Sequence, residues 1–312
     1  MKLALIGFGN VGRALARLLE QKRREFPFTI AGTHTLRHGT WLADGGDQRA
    51  TTTEEFLDAA RADIAVELTT LNPVDGEPAV SHIRASFARG MHVVTANKGP
   101  IAHAYSALRD EAAQAGVGFR FESAVMDGAP VFNLWDTCMP GVKVLGFAGA
   151  LNSTSKVIIE TMEQGGSFED GLAAARGMGI TEADGAFDIE GWDSAAKAAA
   201  LANVLMDART TPQQVSTRGI ARLTPERIKE IVRQGKTVRL ISRGKRSASG
   251  VSLRVRAEVL DRNDILACTP GTSNVILFQT DLMGTFGTVS ISPGVEQTAY
   301  GVFSDLVKVS GR

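Results

Sequence analysis

Along the first 121 residues, short apolar runs alternate with longer segments of helical periodicity, and that alternation leaves few folds open. Lys2-Leu-Ala-Leu-Ile6 is a brief apolar run closed by glycine and reads as a buried strand. Val11, Ala14, Leu15, Leu18 and Leu19 then recur at helical spacing. Phe28–Ala31, Ile64–Leu68, His92–Thr95 and Gly118–Phe121 read as four further strands. Between them, 53–60, 78–89 and 101–114 read as helices, the first capped by a threonine with acids in its first turn. Alternation of this kind builds a parallel sheet with helices on both faces. The expected class is α/β, a doubly wound sheet over residues 1–128.

After about residue 128 the rhythm changes. Val142–Ala150 is strand-like, and helical stretches follow at 153–164, 168–176, 192–207 and 224–234. Segments 237–242 and 251–260 alternate like strands around a basic run, Arg243–Gly250, which reads as a solvated hairpin turn. Further strands are expected at 274–280 and 285–291, and an amphipathic helix over Thr298–Val309. Residues 129–295 therefore read as a second, α+β domain.

Gly7-Phe8-Gly9-Asn10-Val11-Gly12 fits G-x-G-x-x-G, follows the first strand and opens the first helix. In that context the glycines allow a sharp turn and close approach to a pyrophosphate at a helix N-terminus, as in a Rossmann dinucleotide site. An acid at the end of the second strand would suit the ribose 2′-hydroxyl of NAD; Ala31-Gly-Thr-His-Thr-Leu-Arg-His38 has none and places Arg37 there. Arginine suits a 2′-phosphate, so NADP is favoured and NAD remains open.

Partners are bounded by charge. The chain has 34 basic and 34 acidic residues, so net charge gives no reason to expect nucleic acid or an anionic membrane. No apolar run approaches the roughly 20 residues needed to span a bilayer, and MKLALIGFGN is too short and glycine-rich for a secretory signal. Cys138 and Cys268 form no CxxC pair and read as reduced thiols of a cytoplasmic protein, Cys138 as a small buried residue.

Three stretches could carry chemistry. Val94-Thr-Ala-Asn-Lys98 lies at the carboxyl end of a strand, the edge that holds ligand in doubly wound sheets. Phe121-Glu122-Ser-Ala-Val-Met-Asp-Gly128 could bind a cation through Glu122 and carbonyls, or cap a helix. Gly179–Lys197 packs five acids and a lysine into one span, with Asp193 and Lys197 at i, i+4 in an alanine-rich helix. Small apolar neighbours there argue for a packed helix. Desolvation would lower the lysine pKa and a carboxylate would raise it, a balance that suits proton exchange near neutral pH.

With these stretches in view, the sequence resembles the homoserine dehydrogenase family over nearly its whole length. The resemblance runs through GFGNVG, VVTANKGPIA, FESAVMDGAPV, GALNSTSKVI, GITEADGAFDIEGWDSAAK and SPGVEQTAYGVFSDLV. It implies a Rossmann domain, a catalytic domain that also supplies the contact of a homodimer, and a C-terminal helix, 296–312, returning to the nucleotide domain. It implies NAD(P)-dependent interconversion of aspartate 4-semialdehyde and homoserine. Lys197 matches the catalytic lysine and Asp193 its substrate-orienting partner. Glu182 and Asp188 match substrate-pocket acids, and Lys98 matches a lysine between nicotinamide and substrate. Thr69 joins residues 7–12 and Arg37 as a cofactor contact. Glu122 with Val125, Asp127 and Ala129 matches a monovalent cation site such as one for Na+. The chain departs from the pattern at Gly185, Met126-Asp-Gly128, Ser153-Thr-Ser155 and Pro293-Gly-Val-Glu296. No regulatory ACT domain is expected, nor feedback through one.

Overall fold

The computed structural model describes residues 1–45, 51–181 and 185–311. The chain divides into two compact units, Met1–Asn133 with Gly294–Arg312, and Leu134–Pro293.

The first unit opens with β1 (Lys2–Ile6), α1 (Asn10–Lys22), β2 (Thr29–Thr35), β3 (Gly39–Leu42) and α2 (Thr53–Ala60). It continues with β4 (Ile64–Glu67), α3 (Ala79–Phe87), β5 (His92–Thr95), α4 (Lys98–Ala115), β6 (Phe119–Arg120) and α5 (Ser123–Met126). Its sheet has the order β3-β2-β1-β4-β5-β6. All neighbours are parallel except β2 and β3. That hairpin is a difference from the expected all-parallel sheet. Gly39-Thr-Trp-Leu42 is too short to stand out by periodicity, and its pairing is set by the tight turn at 36–38.

Side chains alternate across a strand, and here both faces are covered. Leu3 and Leu5 of β1, with Ile64 and Val66 of β4, pack against Ala14 and Leu15 of α1. Ala4 and Ile6, with Ala65, pack instead against Phe56, Leu57, Val80, Ile83 and Leu108 from α2, α3 and α4. The apolar runs are continuous because strands buried on both faces have no polar side to show. Thr52 caps α2 in a reciprocal capping box with Glu55.

Next come α6 (Phe132–Cys138), β7 (Val144–Ala150), α7 (Ser153–Glu163), α8 (Phe168–Gly177), α9 (Ala186–Glu190) and α10 (Trp192–Met206). They are followed by β8 (Ser216–Arg218), α11 (Pro225–Arg233), β9 (Lys236–Ser247), β10 (Gly250–Asp261), β11 (Asn274–Thr280) and β12 (Thr285–Ser290). The second unit's sheet is mixed, in the order β12-β11-β7-β9-β10-β8, with β8 parallel to β10. The basic run expected as a turn is strand instead: β9 continues to Ser247, and the turn is Ala248-Ser249. Arg243 can sit in the ladder because Glu258, on the paired strand, meets its guanidinium at 2.7 Å. Helix α10 is buried nearly all round, from Ser194 to Asn203, as its alanines require. It packs on β9, β10 and β7.

Helix α12 (Val295–Val309) closes the chain and belongs to the first unit. Val302 and Leu306 join the α1 face of that sheet. Gly301 and Gly128 let the helix approach the turn after α5: a Cβ on Gly301 would lie 2.2 Å from Ser123 Oγ, and one on Gly128 2.0 Å from the Gln297 carbonyl oxygen. Cys138 is exposed at the end of α6, so the expected burial does not hold; Cys268 is exposed as well. The last residue of a short helix has no further turn to cover it.

Candidate active site

In the first unit, β1 hands directly to α1 through Gly7-Phe8-Gly9. Gly7 has φ +92°, and a Cβ there would fall 2.7 Å from the Leu68 carbonyl oxygen. Only glycine meets both conditions. Inside α1, a Cβ on Gly12 would come 3.1 Å from the Phe8 ring, so that helix also packs tightly on its own turn. No side chain caps α1. Its first amides are left for an anion at the positive end of the helix, with Gly9, Asn10 and Val11 around them. Arg37 stands exposed in the turn that follows β2. The residues present thus fit a dinucleotide: the backbone cradle at Gly7 and Gly12 is one a side chain would fill.

Thr69 and the TANK segment are tied together by a residue the sequence reading passed over, Glu67. This carboxylate ends β4 and is 1% exposed. It accepts the Thr69 amide at 2.9 Å, the Thr69 hydroxyl, and the Thr95 hydroxyl at 2.8 Å. Thr95 in turn accepts the Asn97 amide at 2.9 Å, and Asn97 Nδ2 donates to the Thr69 carbonyl at 3.2 Å. Asn97 also caps α4 through the Gly99 amide, which makes Lys98 the first residue of that helix. Both loops at the carboxyl ends of β4 and β5 therefore hang on one buried acid. An acid in the apolar run Ile64-Ala-Val-Glu67 was the available signal.

In the second unit, Lys197 and Asp193 lie one turn apart on α10. Lys197 Nζ is 3.2 Å from Asp193 Oδ2 and donates to the Leu151 carbonyl at 2.5 Å. Both side chains are only 15% exposed, so the i, i+4 pair is not a solvated surface bridge. Gly191, at φ +90°, ends α9 and starts α10, bringing Asp188 alongside. Asn152 Nδ2 donates to Asp188 Oδ1 at 2.6 Å and to Asp193 Oδ2 at 3.0 Å. Thr181 Oγ1 donates to Asp188 Oδ2 at 3.1 Å. Burial first, and then the Asp193 charge, hold the Asp188 carboxyl above its ordinary range, while the Asn152 bond and Lys197 pull it back. Glu182 lies outside the described residues. Leu151 and Asn152 were also missed: Leu151 acts through its backbone carbonyl, which leaves no side-chain signature, and Asn152 acts through a side-chain amide brought to the acids only by the fold.

Glu122 is 2% exposed. One oxygen accepts the Val131 amide at 2.5 Å and the Phe132 amide at 3.0 Å, and the other accepts the Asn133 amide at 2.5 Å. Burial pushes this carboxyl up and the three amides pull it down. A carboxylate has about four acceptor positions, so little of Glu122 is left for an ion. Asp305 of α12 lies against the Glu122 amide at 2.6 Å and the Asn133 side chain at 2.7 Å; burial pushes it up to about 7. Among the described residues, no cluster of three His, Cys, Asp or Glu side chains could hold a metal ion. A groove of about 300 Å³ is lined by Asn10, Arg13, Arg17, Val295 and Glu296, with Arg17 and Glu296 3.5 Å apart. The divergent Pro293–Glu296 segment thus borders α1.

Known proteins give a consistent picture. Residues 7–122 match the family model for the homoserine dehydrogenase NAD-binding domain, and residues 130–307 match that for homoserine dehydrogenase. The chain is 35% identical to the NAD(+)-dependent homoserine dehydrogenase of Pseudomonas canavaninivorans, over 99% of this chain and 96% of that one. It is 33% identical to the homoserine dehydrogenase of Methanocaldococcus jannaschii, over 99% and 98%. Among solved structures, a homoserine dehydrogenase from Thiobacillus denitrificans superposes with a TM-score of 0.87 at 29% identity, covering 99% of this chain and 73% of that one. One from Thermoplasma acidophilum does so with a TM-score of 0.85 at 25% identity, covering 100% and 99%. With both family models matched along the sequence, and a lysine–carboxylate cluster and a dinucleotide turn in the places described, the chain belongs to the homoserine dehydrogenase family.

Proposed function

We propose that this protein is a homoserine dehydrogenase that interconverts L-aspartate 4-semialdehyde and L-homoserine, a step of threonine and methionine biosynthesis in the cytoplasm. The observation that carries the reading is the desolvated Lys197–Asp193 pair beside Asp188. When bound, the nicotinamide supplies or accepts the hydride. The chain's own groups handle charge and protons. Lys197 Nζ gives a proton to the forming alkoxide, and in the reverse direction neutral Lys197 takes the hydroxyl proton. Oxidation therefore speeds up as pH rises through the Lys197 pKa. Asp193 and the Leu151 carbonyl fix the direction of Nζ. Asp188, joined by Glu182 on its place in the sequence, takes the substrate ammonium.

In the first unit, Gly7–Gly12, Thr69 and Arg37 hold the dinucleotide, and Lys98 serves the nicotinamide end. Arg37, and the lack of an acid along β2, support NADP over NAD; the name of the Pseudomonas relative supports NAD. Binding constants for NADPH and NADH, read by fluorescence, decide between them. A monovalent cation such as Na+ is assigned to the carbonyls of Val125, Asp127 and Ala129 beside Glu122. The second unit is assigned the contact of a homodimer. No helix among the described residues is long and apolar enough to cross a membrane.

The test is turnover of reduced cofactor with aspartate semialdehyde, set against a panel of other short amino-acid aldehydes. Preferred consumption with aspartate semialdehyde supports the assignment. Preference for another aldehyde reassigns the substrate, and no turnover with bound NADPH marks a silent binding protein.

A further inference from the structure

Asn152 sits where the side chains of Asp188, Asp193 and Lys197 converge, and its own surroundings fix its orientation. It is 5% exposed and serves as the N-cap of α7, its Oδ1 accepting the Ser155 amide at 2.7 Å. That bond decides which end of the side-chain amide faces the helix. The Nδ2 end is thereby turned to the acids, with one proton for Asp188 Oδ1 and one for Asp193 Oδ2. The preceding residue, Leu151, receives Lys197 on its carbonyl. One dipeptide thus contacts all three charged groups of the cluster among the described residues.

Two carboxylates in a partly desolvated space repel one another, and the cheapest relief is for one to take up a proton. From α10, Asp188 faces Asp193 and Lys197. The ammonium is paired with Asp193. Asp188 relies more on its hydrogen bonds, from Asn152, Thr154 and Thr181. Taking Asn152 away removes a donor from each acid at once.

We propose that Asn152 is a positioning residue that keeps Asp188 and Asp193 ionised side by side, so that the pocket presents net negative charge to the ammonium of an amino-acid substrate. This rests on the reading of the cluster as the substrate site. Asn152 does not itself touch the reacting atoms; it acts through the two acids.

Asn152→Ser keeps an acceptor for the α7 cap and removes both donors. Asn152→Asp keeps the cap and adds a third carboxylate. The direct readout is the 13Cγ NMR titration of Asp188 in wild type and variant, each free of substrate. The expected result is an Asp188 midpoint raised by roughly one pH unit in Asn152→Ser, the size of one charge-assisted hydrogen bond. The acid limb of kcat/KM for homoserine follows it upward, and the loss falls mainly on KM rather than kcat. Asn152→Asp shifts the midpoint at least as far and decides the question should the serine variant not fold. An unmoved Asp188 midpoint in a folded variant overturns the proposal, as does a loss confined to kcat. Failure of the wild type to oxidise homoserine would instead count against the assigned reaction, and the titration would still decide the part played by Asn152.

Discussion

Two lysines shielded in the second unit, one buried and one partly so, face opposite situations. Lys197 has a carboxylate at 3.2 Å and a backbone carbonyl, which favour its charge. Lys156, on α7, is 2% exposed and reaches the Ser273 carbonyl and the Thr269 hydroxyl, the latter at 3.3 Å. Burial pulls its pKa down to about 8, with Glu160 opposing and Arg239 reinforcing the shift. A lowered lysine pKa means the unfolded chain binds more protons than the fold between about 8 and 10.5. Stability attributable to this residue therefore rises with pH across that window and is lowest below it. At about 1.4 kcal/mol per pH unit the change amounts to about 3 kcal/mol. Denaturant unfolding of wild type and Lys156→Met checks this. Wild type should gain on the variant as pH goes from 8 to 10.5, and a constant difference would show that Lys156 is not held against its charge. Residue by residue, legibility followed side-chain chemistry. Asp193 and Lys197 could be read from spacing, because helical periodicity places i and i+4 together. Leu151 and Asn152 could not, since their contacts depend on where β7 ends in three dimensions; Glu67 left only the hint of an acid closing an apolar run, with its partners Thr69 and Thr95 set by the fold.

Elements were read best where burial is symmetrical. β1, β4, β5 and α10 are built around apolar or alanine runs, and their positions follow from the sequence almost residue for residue. β3 escaped notice because four residues give too little periodicity. The basic strand ending β9 was misread because charge in a run suggests a solvated turn, whereas Glu258 across the ladder neutralises Arg243. The fit of α12 to the first unit depends on a glycine contact that sequence patterning does not announce. Gly301 packs against Ser123 and Gly128 with no room for a Cβ. Gly301→Ala should destabilise the first unit by about 1–3 kcal/mol through overpacking. Differential scanning calorimetry should show unfolding of the first unit moving to lower temperature, with bound nicotinamide cofactor restoring part of the loss by mass action. An unchanged thermogram would mean that α12 can shift without cost.

At the scale of the molecule, the polypeptide runs through one unit, builds the second, and returns to finish the first. The proposed chemistry draws on named groups in each unit: in the first, a dinucleotide turn and the loops after β4 and β5 that Glu67 holds, and in the second, a lysine held by Asp193 and Leu151. Charge balance, 34 basic against 34 acidic residues, leaves selectivity to those local groups rather than to a global field. The central claim is that Lys197 moves the substrate proton in a homoserine dehydrogenase. The measurement that tests it most directly is homoserine-dependent reduction of NADP+ or NAD+ by the purified protein and by Lys197→Ala, followed across pH. Wild type should reduce the cofactor faster as pH rises through the pKa of this lysine. The alanine variant should lose about 10²- to 10⁴-fold in kcat while still binding the reduced cofactor. A variant that turns over homoserine at the wild-type rate, or a wild type with no homoserine-dependent reduction, would contradict the account.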